Sequence, residues 1–224
     1  RLRREGQLPE AEVIRLGSEI AEALAEAHTH GLVHRDIKPQ NVMLQGAKKR
    51  AMVMDFGIAK AAAGSGEKLT GTGAIIGTPH YMSPEQAAGD PEIDRRSDLY
   101  SLGIVLWEML AGEVPFDGPS TQGILIQHLT QSVPAIRTRR PNVTAALGKV
   151  VARTTEKKKE DRFPDANALA EALRASGSVA APPSASFGAR VSRGLIGAIA
   201  AALVVVSVFV WLVIEPKPGP TANS

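Results

Sequence analysis

His34-Arg35-Asp36-Ile37-Lys38-Pro39-Gln40-Asn41 decides how the rest of this chain is read. An acid, a lysine and an amide fall between positions 36 and 41, with a proline among them to hold the backbone. A carboxylate at Asp36 suits taking a proton from a hydroxyl. An ammonium at Lys38 suits neutralising a phosphate oxygen, and an amide oxygen at Asn41 suits ligating magnesium. Together these are the parts of phosphoryl transfer, in which positioning and charge neutralisation supply nearly all of the catalysis.

Outward from that stretch, Val42-Met43-Leu44 and Ala51-Met52-Val53-Met54 are short apolar runs around a basic segment containing Gly46, and they predict a small β-hairpin. Asp55-Phe56-Gly57 follows at once, so the polar groups cluster at strand ends and loops. Upstream, Pro9-Glu10 suits a helix start, and Val13, Gly17, Ile20, Leu24 and Ala27 recur at helical spacing until Gly31. Downstream, residues 58–82 are rich in Gly, Ala, Ser and Thr and predict a long loop. Residues 94–110 predict a helix with apolar residues on more than one face, hence a central one. Asp98 near its start suits a first-turn carboxylate favoured by the helix dipole. Further helices are expected at about 121–129, 143–153 and 164–175. Residues 176–192 have linker composition.

The 224 residues are 44% apolar, enough for a packed core. Lys+Arg of 26 against Asp+Glu of 23 is too near neutral to argue for nucleic acid. The cluster Arg153, Lys157, Lys158, Lys159 and Arg162 is read as a solvated helix end or loop. No cysteine is present, which removes disulfides, thiol nucleophiles and cysteine metal sites. His28, His30 and His34 are too loosely spaced for a metal cluster. Residues 194–214 carry no charge and are long enough to cross a bilayer. Arg190 and Arg193 precede them and Lys217 with Glu215 follows, so the N-terminal side is expected in the cytoplasm.

The first stretch resembles the H-R-D-x-x-x-x-N catalytic loop of eukaryotic-type protein kinases, and Lys38 is the residue its serine/threonine branch carries. Asp55-Phe56-Gly57 resembles the family's D-F-G. Gly77-Thr78-Pro79-His80-Tyr81-Met82-Ser83-Pro84-Glu85 resembles the end of its activation segment, with Ser-Pro-Glu for Ala-Pro-Glu. Asp98-Leu99-Tyr100-Ser101-Leu102-Gly103 is similar to its D-x-x-S-L-G, and Val114-Pro115-Phe116 belongs to its G-x-x-P-F turn. Residues 1–175 thus resemble the C-terminal lobe of a bacterial serine/threonine kinase, an α+β and mostly helical fold with a small hairpin. A linker at 176–193, a transmembrane helix at 194–214 and a short outer tail at 215–224 would follow.

The resemblance implies roles. Asp36 would act on the acceptor hydroxyl, Lys38 on the transferred phosphoryl group, and Asn41 and Asp55 on magnesium. ATP and Mg²⁺ are the implied cofactors, with Met43 either under the adenine or a plain strand-core position. His34 and Phe56 would pack to align the site. Thr70 and Thr72 would be autophosphorylation sites read by Arg35, Thr78 would contact Asp36 and Lys38, Glu85 would pair with Arg162, and Asp98 would hold the catalytic-loop backbone. Partners would be protein substrates with Ser or Thr acceptors, the bilayer, and a second copy for trans-autophosphorylation. The location would be the inner membrane, with one span and a cytoplasmic kinase lobe. No G-x-G-x-x-G or strand lysine in a V-A-I-K context occurs, and the chain starts without Met. The expectation is a fragment that is inactive or poorly active alone, the rival being a non-catalytic, membrane-tethered kinase-like binding module.

Overall fold

The computed structural model describes residues 6–56 and 78–178. The chain divides into two units, residues 1–180 and 181–224, and every described residue falls in the first. Helix α1, Glu10–Thr29, follows Pro9 with Glu10 and Glu12 in its first turn, where acids face the positive end of the dipole. It ends against Gly31, whose φ of 70° suits glycine. The five residues that set its apolar face in the sequence, Val13, Gly17, Ile20, Leu24 and Ala27, are all buried.

A 3₁₀ turn at Pro39–Asn41 leads into strand β1, Val42–Gln45, which pairs antiparallel with β2, Arg50–Val53, in the register Val42↔Val53 to Gln45↔Arg50. Alternation splits the hairpin into two faces. Ala51 is buried, and Val42, Leu44 and Val53 are partly buried against the core. Met43 and Met52 stand opposite each other on the outer face, exposed, and Met54 just past the strand is exposed as well. Helix α1 holds the hairpin by its polar edge. Glu19 accepts the Ala51 N–H at 2.7 Å, and Arg15 bridges Glu19 at 2.8 Å.

A second 3₁₀ turn, Pro79–Tyr81, precedes the short helix α2, Pro84–Ala88. Helix α3, Arg96–Ala111, is buried from Ser97 through Trp107. It is the central element that its apolar surface predicted. Helices α4 (Thr121–Thr130), α5 (Ile136–Arg139), α6 (Ala145–Thr154) and α7 (Ala166–Ser178) complete the unit. Neither α2 nor α5 stands out in the sequence, since helices this short carry too little periodicity. Helix α7 runs past Ala175 to Ser178, and there Ser176 and Ser178 donate their hydroxyls to the carbonyls of Leu173 and Arg174.

The most extensive helix pairing among the described residues is α1 along α7, and α3 also packs on α1, α5, α6 and α7. The entry to α1 is tied to the far end of α3. Leu8 N–H donates to Met109 O at 2.8 Å, and Arg140 reaches both Leu8 O and Leu110 O. Among the described residues no helix is long and apolar enough to cross a membrane. The expected span at 194–214 lies outside them, as do residues 179–193 of the expected linker, the tail, Gly57, Thr70 and Thr72, whereas residues 176–178, expected in the linker, are the last of α7.

Candidate active site

The catalytic-loop stretch sits between α1 and the hairpin, and its backbone is gripped from α3. Asp98, 1% exposed, has no arginine or lysine partner among the described residues. Its carboxylate accepts three N–H groups instead. Oδ1 takes the Arg35 amide and Oδ2 takes the His34 amide and the His28 ring Nε2, each at 2.8 Å. A buried anion is tolerated where its lone pairs are filled by donors, so Asp98 fixes three chain positions to one point.

His34 is fully buried and links the loop to the hairpin. Its Nδ1 accepts the Asp36 N–H at 3.2 Å, which places the ring proton on Nε2, and that donates to Met54 O at 2.9 Å. Phe56 lies against the ring with centroids 4.9 Å apart. The two packing residues therefore meet, and the Asp55 backbone is delivered to the loop. Met54 N–H also donates to Asn41 O at 2.8 Å, closing the hairpin beside the same residues.

Within the loop, Lys38 Nζ donates to Asp36 Oδ2 at 2.8 Å. Asn41, buried, donates its amide to Asp36 O at 2.8 Å and Oδ2 at 3.1 Å. Asn41 is thus oriented nitrogen-first toward Asp36, leaving its oxygen as the atom offered to a hard cation. Asp55 is exposed, at a φ of 55° that aspartate adopts more readily than most residues. An amide oxygen on Asn41 and an exposed carboxylate on Asp55, the residue after Asn41's backbone partner Met54, suit Mg²⁺, which takes few protein oxygens and keeps room for phosphates. Met43 is exposed on the hairpin face beside them and is not a strand-core residue.

The end of the activation segment is anchored on the other side. Glu85 and Arg162 form a bidentate pair at 2.7 and 2.9 Å, and Arg162 is 1% exposed. Burial pushes the Glu85 carboxyl up, but the Arg162 hydrogen bond and charge, with the Ser97 hydroxyl, pull it below its ordinary value. Arg162 also donates to the carbonyls of Arg96, Glu156 and Lys157 and lies 4.9 Å over the Tyr100 ring. The basic cluster is therefore not simply a solvated end. Lys158 is exposed, but Arg162 is buried and Lys157 half-buried, because each finds carbonyl acceptors and an aromatic face inside.

Lys157 belongs to a chain of donors that reaches the segment near Thr78. Lys157 Nζ donates to Tyr100 Oη at 3.2 Å, and Tyr100 pairs with His128 Nδ1 at 2.9 Å. His128 Nε2 lies 3.0 Å from His80 O. A carbonyl only accepts, so the His128 proton is on Nε2 and Tyr100 donates to Nδ1. Burial first, then the Lys157 charge, push His128 down to about 4, and burial brings Lys157 down to about 8. Thr78 sits at the N-cap of the 3₁₀ turn that contains His80.

His28, Gln86, Ser97, Tyr100, His128 and Lys157 were missed as site supports. Their signal is spatial, since each acts across many positions. Among the described residues no three His, Cys, Asp or Glu side chains form a metal cluster. His28 and His34 are both engaged on the loop.

The protein kinase domain family matches residues 1–173, and the chain belongs to that family. It is 39% identical over 181 residues to serine/threonine-protein kinase pkn3 of Myxococcus xanthus, covering 78% of this chain and 33% of that protein. It is 43% identical over 159 residues to serine/threonine-protein kinase PknB of Mycobacterium tuberculosis, covering 71% of this chain and 25% of that protein. The chain thus spans between a quarter and a third of these curated relatives. Among solved structures it is similar to the Mycobacterium tuberculosis PknI kinase domain, at 30% identity and a TM-score of 0.57, covering 76% of this chain and 57% of that one.

Proposed function

We propose that the protein carrying this chain transfers the γ-phosphoryl group of ATP to Ser or Thr hydroxyls of other proteins. The observation that carries this is the Asp36–Lys38–Asn41 cluster, held together by side-chain hydrogen bonds at 2.8 to 3.1 Å. ATP with Mg²⁺ supplies the phosphoryl group and the charge that stabilises it when bound. Asp36 takes the acceptor hydroxyl proton as the oxygen bonds to phosphorus and the bond to ADP breaks. Lys38, already beside Asp36, neutralises charge on the phosphoryl oxygens. Asn41 and Asp55 offer oxygens to the metal, and exposed Met43 offers an apolar surface to the base.

The rest of the proposal is supported by sequence. Residues 194–214 cross the inner membrane, with Arg190 and Arg193 keeping the kinase unit in the cytoplasm. Thr70 and Thr72 are phosphorylated by a second copy, adding negative charge for Arg35 to read. Thr78 contacts the acceptor side of the site. The test is phosphate transfer from ATP to a basic serine/threonine peptide by the full-length protein and its Asp36→Asn variant. A fall of about 10²-fold or more in kcat is expected. A variant as active as the parent would remove Asp36 from the chemistry.

A further inference from the structure

Gln86 performs two tasks with one amide. Its Oε1 accepts the Ser83 N–H at 3.1 Å while Ser83 Oγ accepts the Gln86 N–H at 3.2 Å, closing a capping box on α2. Its Nε2 then donates to the carbonyl of Arg35 at 2.8 Å, across 51 positions of sequence.

That carbonyl is half of the peptide unit joining Arg35 to Asp36. The other half is the Asp36 N–H, which donates to His34 Nδ1 at 3.2 Å. A peptide unit is planar, so a partner on each edge stops it turning about its flanking bonds. Arg35 sits at a φ of 64°, which is uncommon for a residue with a long side chain. Such a conformation persists when the surroundings over-determine it. Asp98 holds the Arg35 N–H, and Gln86 holds the Arg35 C=O. The plane they fix is the one from which the Asp36 side chain springs.

We propose that Gln86 is a positioning residue for Asp36. By holding the Arg35 carbonyl from the end of the activation segment, it sets the direction of the carboxylate that receives the hydroxyl proton. Only when α2 is seated is the Arg35–Asp36 peptide held on both edges. The inference rests on the proposed role of Asp36.

Three variants of the full-length protein separate positioning from helix capping. In Gln86→Glu the carboxylate still accepts the Ser83 N–H, since glutamate fills a capping box as well as glutamine does, but nothing is donated to Arg35 O. Ser83→Ala removes the side-chain cap and leaves the Gln86 donor. Gln86→Leu removes the donor to Arg35 and the acceptor for the Ser83 N–H, while Ser83 Oγ still accepts the backbone N–H of residue 86. With ATP and a basic serine/threonine peptide, Gln86→Glu is expected to lower kcat about tenfold or more, with both KM values within about twofold of the parent. Its thermal midpoint should stay near the parent's, and Ser83→Ala should keep the parent's kcat. Two results overturn the proposal: an unchanged kcat in Gln86→Glu, or an equal loss in Ser83→Ala, which would make capping the cause. A parent protein that transfers no phosphate overturns the proposed function itself, and that result is distinct from both.

Discussion

Asp98 accepts the Arg35 backbone N–H at 2.8 Å across 63 positions of sequence, so the helix at the centre of the unit holds the residue before Asp36. Asp98→Asn keeps one acceptor oxygen but turns an NH₂ group toward donors. Two of the three N–H groups on Asp98 converge on Oδ2. At least one buried donor loses its partner, at about 1–3 kcal/mol. Urea titration should show that loss, and kcat should fall with it because the loop is released.

The Glu85–Arg162 pair predicts a non-additive result. Arg162→Met leaves a buried carboxylate and three carbonyls without their donor. The expected cost is roughly 3–5 kcal/mol, the usual result of removing one member of a buried pair. Adding Glu85→Met should recover part of it, because no uncompensated charge remains. A double-mutant cycle in urea measures the coupling, and an additive double mutant would contradict the reading.

His128 predicts a pH dependence. Its folded-state value, about 4, lies below the unfolded value of 6.5. The unfolded chain therefore binds the proton first as pH falls. The stabilisation is full above the unfolded value and is lost as pH drops toward the folded one, with a slope near 1.4 kcal/mol per pH unit. His128→Phe keeps the ring beside Phe116 and Tyr100 but cannot titrate. Its stability should vary less than the parent's between pH 6.5 and 4. Equal slopes would show that the proton is taken up elsewhere.

Gly103 marks the closest approach of α3 to α6. A Cβ there would lie 2.7 Å from Thr155 Cγ2 and 3.0 Å from Thr154 Cγ2. Alanine gains about 1 kcal/mol of helix propensity, while overpacking costs typically 1–3 kcal/mol. Both threonines are buried and bonded to carbonyls of their own helix, so they cannot swing aside freely. Gly103→Ala should lower the urea midpoint with no change in slope.

The long periodic elements and the cluster of Asp36, Lys38 and Asn41 were legible in sequence for different physical reasons. A helix that buries one face, such as α1, repeats its apolar residues locally, and the hairpin follows from two β-prone runs around Gly46. The stretch from His34 to Asn41 sets its polar groups within a few consecutive residues, so pattern alone finds the cluster. What sequence did not reveal is what closes through space. Gln86 on Arg35, His128 on His80 and Lys157 on Tyr100 are ordinary polar residues, two in helices and Lys157 in the bend after α6. Only the tertiary fold brings each donor to its acceptor. The basic cluster was misread for the same reason, since local charge does not reveal that Arg162 is buried among carbonyls.

The pairing of α1 with α7 sets an order on synthesis. Gly17 of α1 faces Leu106 of α3 and Leu173 of α7, so the first helix finds its full surroundings only in residues made long after it. A growing chain that has delivered the hairpin and α3 still lacks the helix that packs along α1. Contacts this distant in sequence form late, because the long loop must close before they reward it. Until α7 leaves the ribosome, the nascent chain carries a bare hydrophobic seam along α1. That exposed interval is when a chaperone has most to hold, and the unit closes around its centre only once α7 is free to pack.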